Sequence, residues 1–177
     1  FYNTKFSSNI NNKIKEHIDI SKPVVFLLGS DEFSRDIFSN AFIVYMGHHG
    51  DSSAQIADIV LPSPAYTEKS STYVNMEGRV LQTSKCYHPI GQAKEEWKIF
   101  RSLSNSFQEK LKFDNLNGLR KEILQNNILF QELNVLPKST KLDFGKKINL
   151  NKRILESTIK NFYMNDVISR ASLTMAN

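Results

Sequence analysis

A single cysteine, Cys86, stands in a chain of 177 residues. One thiol excludes an intramolecular disulfide and cannot supply the set of thiolates that an iron–sulfur cluster takes. Long apolar runs are missing too. None approaches the roughly 20 residues of a membrane-spanning helix, so no direct membrane insertion is expected. No signal-peptide core is visible, and the first residue is Phe1 instead of Met, which reads as a processed chain or one whose start lies elsewhere. An excess of charge of one sign is also lacking. Lys and Arg number 23 against 18 Asp and Glu, a formal +5, but the basic residues are interspersed with acidic ones, which describes a solvated surface and offers nucleic acid no patch. Several catalytic signatures are absent: no G-x-S-x-G, no C-x-x-C and no G-x-G-x-x-G. His48, His49, His88 and Cys86 invite a zinc site, yet no H-x-x-x-H pair exists and adjacent loop histidines are not expected to point the same way. No catalytic, cofactor-binding or metal-ligating residue is therefore expected in this chain.

What is present centres on residues 42–82. Phe42 to Met46 is apolar, aromatic and β-branched, too short for a helix, and reads as a buried strand. Gly47-His48-His49-Gly50-Asp51 makes a turn, and Asp51 or Ser52 is placed to cap a short helix over 53–57. Asp58 to Leu61 returns to a sheet and stops at Pro62. Strand, short helix and strand form a βαβ crossover, with its loop outside the carboxyl edge of the sheet. Val24 to Leu28, ended by Gly29-Ser30-Asp31, is a second buried strand, and two parallel neighbours would bring Gly29 beside Gly47. Thr72 to Thr83 reads as a hairpin turning at Gly78, which joins the strands in a mixed, largely parallel sheet. Glu68, Glu77 and Arg79 flank the turns, where carboxylates and guanidinium groups form ion pairs or cap amides more readily than they do chemistry.

Helical periodicity runs from Ala93 through Trp97, Phe100, Phe107 and Leu111, with Trp97 as the buried anchor. Asp114 is expected to cap a helix from Leu116 to Gln125. Residues 126–150, with Pro137, Gly145 and several lysines, lack periodicity and read as an extended surface segment. Asp166 is expected to cap a last short helix that aligns Ile168, Ala171, Ser172 and Met175. This divides the chain into a lead or docking arm at 1–22, an α/β portion at 23–125 and a C-terminal segment at 126–177.

The residues Tyr45-Met46-Gly47-His48-His49-Gly50-Asp51, Ala57-Asp58-Ile59-Val60-Leu61-Pro62, Ala65-Tyr66-Thr67-Glu68-Lys69 and Tyr73-Val74-Asn75-Met76-Glu77-Gly78-Arg79 resemble the C-terminal part of the large iron–sulfur subunit of respiratory complex I. The stretch from Phe162 to Ser172 is similar to the extreme C-terminus of the mitochondrial form. The wider pattern is that of the molybdopterin oxidoreductase superfamily. The resemblance implies an α/β fold, the C-terminal portion of a molybdopterin oxidoreductase-like domain, with a largely parallel sheet, flanking helices and an extended C-terminal tail. It also implies a structural and assembly role in the NADH-oxidising peripheral arm of mitochondrial complex I, on the matrix side of the inner membrane. The expected partners are other peripheral-arm subunits, among them a separate chain carrying the N-terminal, cluster-binding half, so that the subunit is split. Iron–sulfur clusters and FMN belong to those partners, with no cofactor here and no nucleic acid bound. The alternative is a fragment of a pterin-dependent molybdenum or tungsten oxidoreductase; a basic RNA-associated protein comes third.

Overall fold

The computed structural model describes residues 23–136 and 161–176. They belong to two units divided between Leu136 and Pro137, and each is described by itself. The expected docking arm around Ile10, Ile14 and Ile18, and the Lys-rich stretch from Pro137 to Leu150, lie outside the described residues.

The first unit is built on β1 (Val24–Leu28), β2 (Phe42–Gly47) and β3 (Ile59–Pro62). They form a parallel sheet in the order β1-β2-β3, with Val25 opposite Ile43 and Tyr45 opposite Val60. β2 lies between the other two, and from Ile43 onward every one of its residues is buried. A central parallel strand is covered on both faces, which is why its sequence runs apolar instead of alternating. On one face Leu27, Phe38, Ala41, Ile43 and Tyr45 form the core, packed by Phe33, Ile37 and Ala54. These come from the two crossovers: a 3-10 turn at Arg35–Phe38, and α1 (Ser52–Ile56). On the other face the ring of Phe26 meets Phe100, centroids 5.2 Å apart. The outer strands are less covered. Val24 and Leu28 of β1 and Ile59 and Val60 of β3 are all exposed.

β4 (Thr72–Val74) and β5 (Val80–Gln82) pair antiparallel, as the hairpin reading requires, and Gly78 takes φ +84° in the turn. They form a sheet of their own, however, and do not join the parallel one into a single mixed sheet. Leu133 adds a parallel bridge to Val80, and Asn134 donates its backbone N–H to the Val80 carbonyl at 2.7 Å. So the residues after 126 do not leave the surface as an extended segment at once: Ile128–Phe130 make a 3-10 turn and the chain pairs back onto the hairpin.

The helix read from Ala93 to Leu111 is shorter. α2 spans Glu96–Leu103 and decays into a 3-10 turn at Ser104–Ser106. Ser104 explains the stop: its hydroxyl donates to the Arg101 carbonyl at 2.7 Å and accepts from the Leu111 N–H at 3.2 Å, folding the chain back where a helix would continue. Trp97 is half-buried instead of anchoring a core. The buried residue here is Glu95, whose carboxylate accepts from Trp97 Nε1 at 2.9 Å and from Lys98 Nζ at 2.8 Å. Burial works against that charge, but the bonds from Lys98 and Trp97 outweigh it and hold the Glu95 pKa below the usual carboxylate value.

α3 spans Leu116–Asn126, and its cap is Asn115, not Asp114: Asn115 Oδ1 accepts from Gly118 N–H at 2.8 Å. Asp114 is taken by Arg101, with Nη2 at 2.8 Å from Oδ1, and Arg101 Nε also donates to the Phe113 carbonyl. In the second unit Asp166 caps as expected, accepting from Ile168 and Ser169 N–H, bonds led by Ser169 that lower its pKa. The last helix is broken at Ser172 into α4 (Val167–Ala171) and α5 (Leu173–Ala176), and its buried residue is Val167.

Candidate functional site

The carboxyl edge of the parallel sheet is where the sequence places its unusual residues, and the fold assembles them there. Gly29 leaves β1 at φ +56°, and its N–H donates to the Met46 carbonyl at 2.7 Å, so the tips of β1 and β2 are tied. Phe33 N–H donates to the buried Ser53 Oγ at 3.1 Å, which joins the first loop to α1. Asp51 Oδ1 caps α1 from Ser52 N–H at 2.7 Å. Between the loops stands Tyr45, 1 % exposed, its hydroxyl shared between Asp31 Oδ1 at 3.2 Å and the His49 carbonyl at 3.1 Å. A Cβ on Gly47 would lie 2.7 Å from Tyr45 Cε1, so the tyrosine ring fills the place a side chain would take.

His48 and His49 do point together, contrary to expectation. Their Nδ1 atoms are 2.6 Å apart with the rings edge to face. At that distance one Nδ1 carries a proton and donates it to the other. Packing around its ring, then the neighbouring His49 and Lys69, hold His48 below the ordinary histidine value, with Asp31 and Glu68 pulling the other way. His88 instead lies against Tyr87, and Cys86 is exposed in a bend, not in a strand. Among the described residues no group of three or more His, Cys, Asp or Glu is close enough to hold a metal ion.

The acidic candidates do structural work. Glu68 Oε2 accepts from Ala65 N–H at 3.1 Å. Glu77 pairs with Arg79 at 3.6 Å, and Asn75 Oδ1 accepts from the backbone of both. Lys69 makes a half-buried ion pair with Glu96, linking the segment after β3 to α2.

One constellation escaped the sequence reading. Arg35 Nη1 donates to the Ile56 carbonyl at 2.6 Å and to Asp58 Oδ2 at 3.2 Å, while the same Asp58 oxygen accepts from Ile43 N–H at 2.7 Å. Asp58 thereby clamps the start of β3 to the start of β2, and the Ala57-Asp58 step was its only signal. The backbone bond from Ile43 and then the Arg35 bond keep the Asp58 carboxyl below its usual range. A depressed folded pKa means that the stabilisation is present above the unfolded value and lost as pH falls through the folded one. Asp58→Asn should accordingly flatten the acid unfolding curve below about pH 4, where the wild type loses stability. Parallel curves for the two proteins across that range would contradict the clamp.

Comparison with known proteins gives two matches in order along the chain. Residues 3–106 match the family model for molybdopterin oxidoreductase, and residues 135–177 match the model for the C-terminal region of the G-type subunit of NADH-ubiquinone oxidoreductase. The chain is 44 % identical over 163 residues to the mitochondrial NADH-ubiquinone oxidoreductase 78 kDa subunit of Candida albicans, covering 86 % of this chain and 23 % of that protein. It is 40 % identical over 153 residues to the G-type NADH-quinone oxidoreductase subunit of Rickettsia felis, covering 86 % and 23 %. Against the NADH-ubiquinone oxidoreductase 75 kDa subunit of Reclinomonas americana it is 38 % identical over 177 residues, covering 97 % and 25 %. The chain thus spans about a quarter of the length of these relatives.

Proposed function

The chain belongs to the molybdopterin oxidoreductase family, and on that premise we propose that it is a structural and assembly element of the NADH-oxidising peripheral arm of mitochondrial complex I, on the matrix side of the inner membrane. It supports electron transfer from NADH to ubiquinone and carries no redox centre. The observation that bears this reading is the pairing, in one chain and in the right order, of the molybdopterin oxidoreductase match at 3–106 with the NADH-ubiquinone oxidoreductase match at 135–177.

The chemistry of the sheet edge supports the part about redox centres. A pterin dinucleotide at the tips of parallel strands needs free backbone donors and room beside glycine. Here the Gly29 N–H is spent on Met46, the Tyr45 ring fills the space beside Gly47, and Asp31 adds a negative charge at the rim. These residues do not fit such a group by themselves. Metal-ligating chemistry is equally thin, with Cys86 alone and exposed.

The exposed β1 and β3 support the part about partners. An open strand edge is a template for further strands, and a parallel sheet is stable when its edges and faces are covered. A cluster-bearing stretch of polypeptide, carried by a separate chain in this reading, completes the sheet, and FMN and iron–sulfur clusters belong to such partners.

Purification of the assembly through this chain tests the proposal. Polypeptides bearing clusters and flavin should co-purify with it, and after dissociation the chain itself should hold no stoichiometric iron, molybdenum, tungsten or zinc. Molybdenum or tungsten retained by the chain, with a pterin, would replace this reading with the pterin-dependent enzyme.

A further inference from the structure

One Asn-Gly step occurs in the sequence, Asn117-Gly118, and the fold places it in the first turn of α3. An asparagine before glycine is the most reactive setting for a side-chain amide, because no side chain on the next residue shields its backbone nitrogen from the amide carbon. Asn117 is exposed, so water reaches it. Packing keeps the glycine in place. A Cβ on Gly118 would lie 3.2 Å from Phe113 Cβ, and Phe113 has little room to yield: its ring lies against Trp97, centroids 6.3 Å apart, and its carbonyl accepts from Arg101 Nε at 2.9 Å. What guards the step is the cap. Asn115 Oδ1 accepts from the Gly118 N–H at 2.8 Å and the Asn115 carbonyl accepts from the Leu119 N–H at 3.0 Å, which commit the Gly118 nitrogen to the cap and the turn to helical geometry.

We propose that Asn117 is a site of spontaneous covalent modification, deamidation through a succinimide, and that the Asn115 cap sets its rate. When the first turn of α3 frays, the Gly118 nitrogen is released from the cap and attacks Asn117 Cγ. The new N–Cγ bond forms as the Cγ–Nδ2 bond breaks, and the amide nitrogen leaves as ammonia with the proton that Gly118 gives up. Water then opens the ring at one carbonyl or the other. One opening leaves Asp in the normal backbone; the other leaves isoAsp, in which the main chain runs through the side-chain carbon. No co-reactant but water is needed. The two products act oppositely on α3. Its first turn holds no acidic residue, so an Asp at this position adds a favourable negative charge at the helix start, whereas isoAsp lengthens the main chain by a methylene and breaks the turn.

The test follows the full chain over time at mildly alkaline pH, with Asp and isoAsp at each position read by peptide mass spectrometry. The expected result is conversion at Asn117 in the wild type, about fivefold faster in N115A, which removes the capping oxygen, and close to the wild-type rate in N115D, which supplies one again. Asn105-Ser106, exposed in the turn after α2 with Asn105 Oδ1 accepting from Arg101 Nη1 at 2.8 Å, is the internal control, and its rate should be the same in all three proteins. Asn117 unchanged in the wild type and N115A alike overturns the proposal, as does N115A converting at the wild-type rate. Equal acceleration at Asn105 overturns it too, because N115A would then have loosened the chain as a whole. None of these outcomes touches the assembly reading, which stands or falls on the polypeptides recovered with the wild-type chain.

Discussion

Gly47→Ala should destabilise the protein by about 3 kcal/mol, a large effect for adding one methyl group. Gly47 closes β2 and is itself buried, and its φ is not the issue. The added Cβ would meet Tyr45, 2.5 Å from Cζ and closer still to the hydroxyl. A flexible neighbour would yield, but Tyr45 is 1 % exposed, and its hydroxyl is held by Asp31 and the His49 carbonyl. Moving the ring would break the bonds that tie the two loops at the sheet edge. Urea unfolding gives the cost, and a double-mutant cycle locates it: in a Tyr45→Ala background the same glycine substitution should cost at least about 1 kcal/mol less, because the colliding ring is gone. Additive effects would place the damage elsewhere than at this contact.

Ile43→Ala should cost about 3 to 4 kcal/mol, within the range for emptying a buried aliphatic site. Ile43 is 0 % exposed and belongs to the core with Leu27, Phe38, Ala41 and Tyr45. Its N–H is the donor that Asp58 accepts, so the backbone at this point is fixed and collapse around a cavity is hindered. The adjacent Phe42 makes the control. Although larger, it is 44 % exposed, so Phe42→Ala should cost clearly less than Ile43→Ala in the same urea titration. An equal or reversed order would mean that β2 presents the other face to the core. The comparison separates side-chain size from position in the sheet.

Ile43 and Asp58 mark the two sides of what a reading of residues delivers. Strands at Val24–Leu28 and Phe42–Gly47, the short helix capped by Asp51 and the hairpin at Gly78 were legible because each rests on local chemistry: a continuous β-branched and aromatic run, a side chain that accepts the first free N–H groups, a residue able to take positive φ. The role of Glu77 and Arg79 at a turn was legible for the same reason. Helix ends were read less well. Asn115 and Asp114 are chemically alike as caps, and which of them serves was settled by Arg101 taking Asp114 from a distance of thirteen residues. The stop at Ser104 likewise depends on a bond to Leu111, which no helical periodicity reveals.

By itself the sequence determined the type and order of the elements, the carboxyl edge as the meeting place of Gly29 and Gly47, and the family resemblance carried by the motifs from Tyr45 to Arg79. Only the tertiary structure decided that the hairpin stands as its own sheet, that the Nδ1 atoms of His48 and His49 meet, that Asp58 and Arg35 clamp the crossover, and that Arg120 is left without a partner among the described residues. The physical reason is common to all of these. Propensity and capping act over a few residues and are written in adjacent letters, whereas a charge or a donor is satisfied by whatever the fold brings near it, and that neighbour comes from anywhere along the chain.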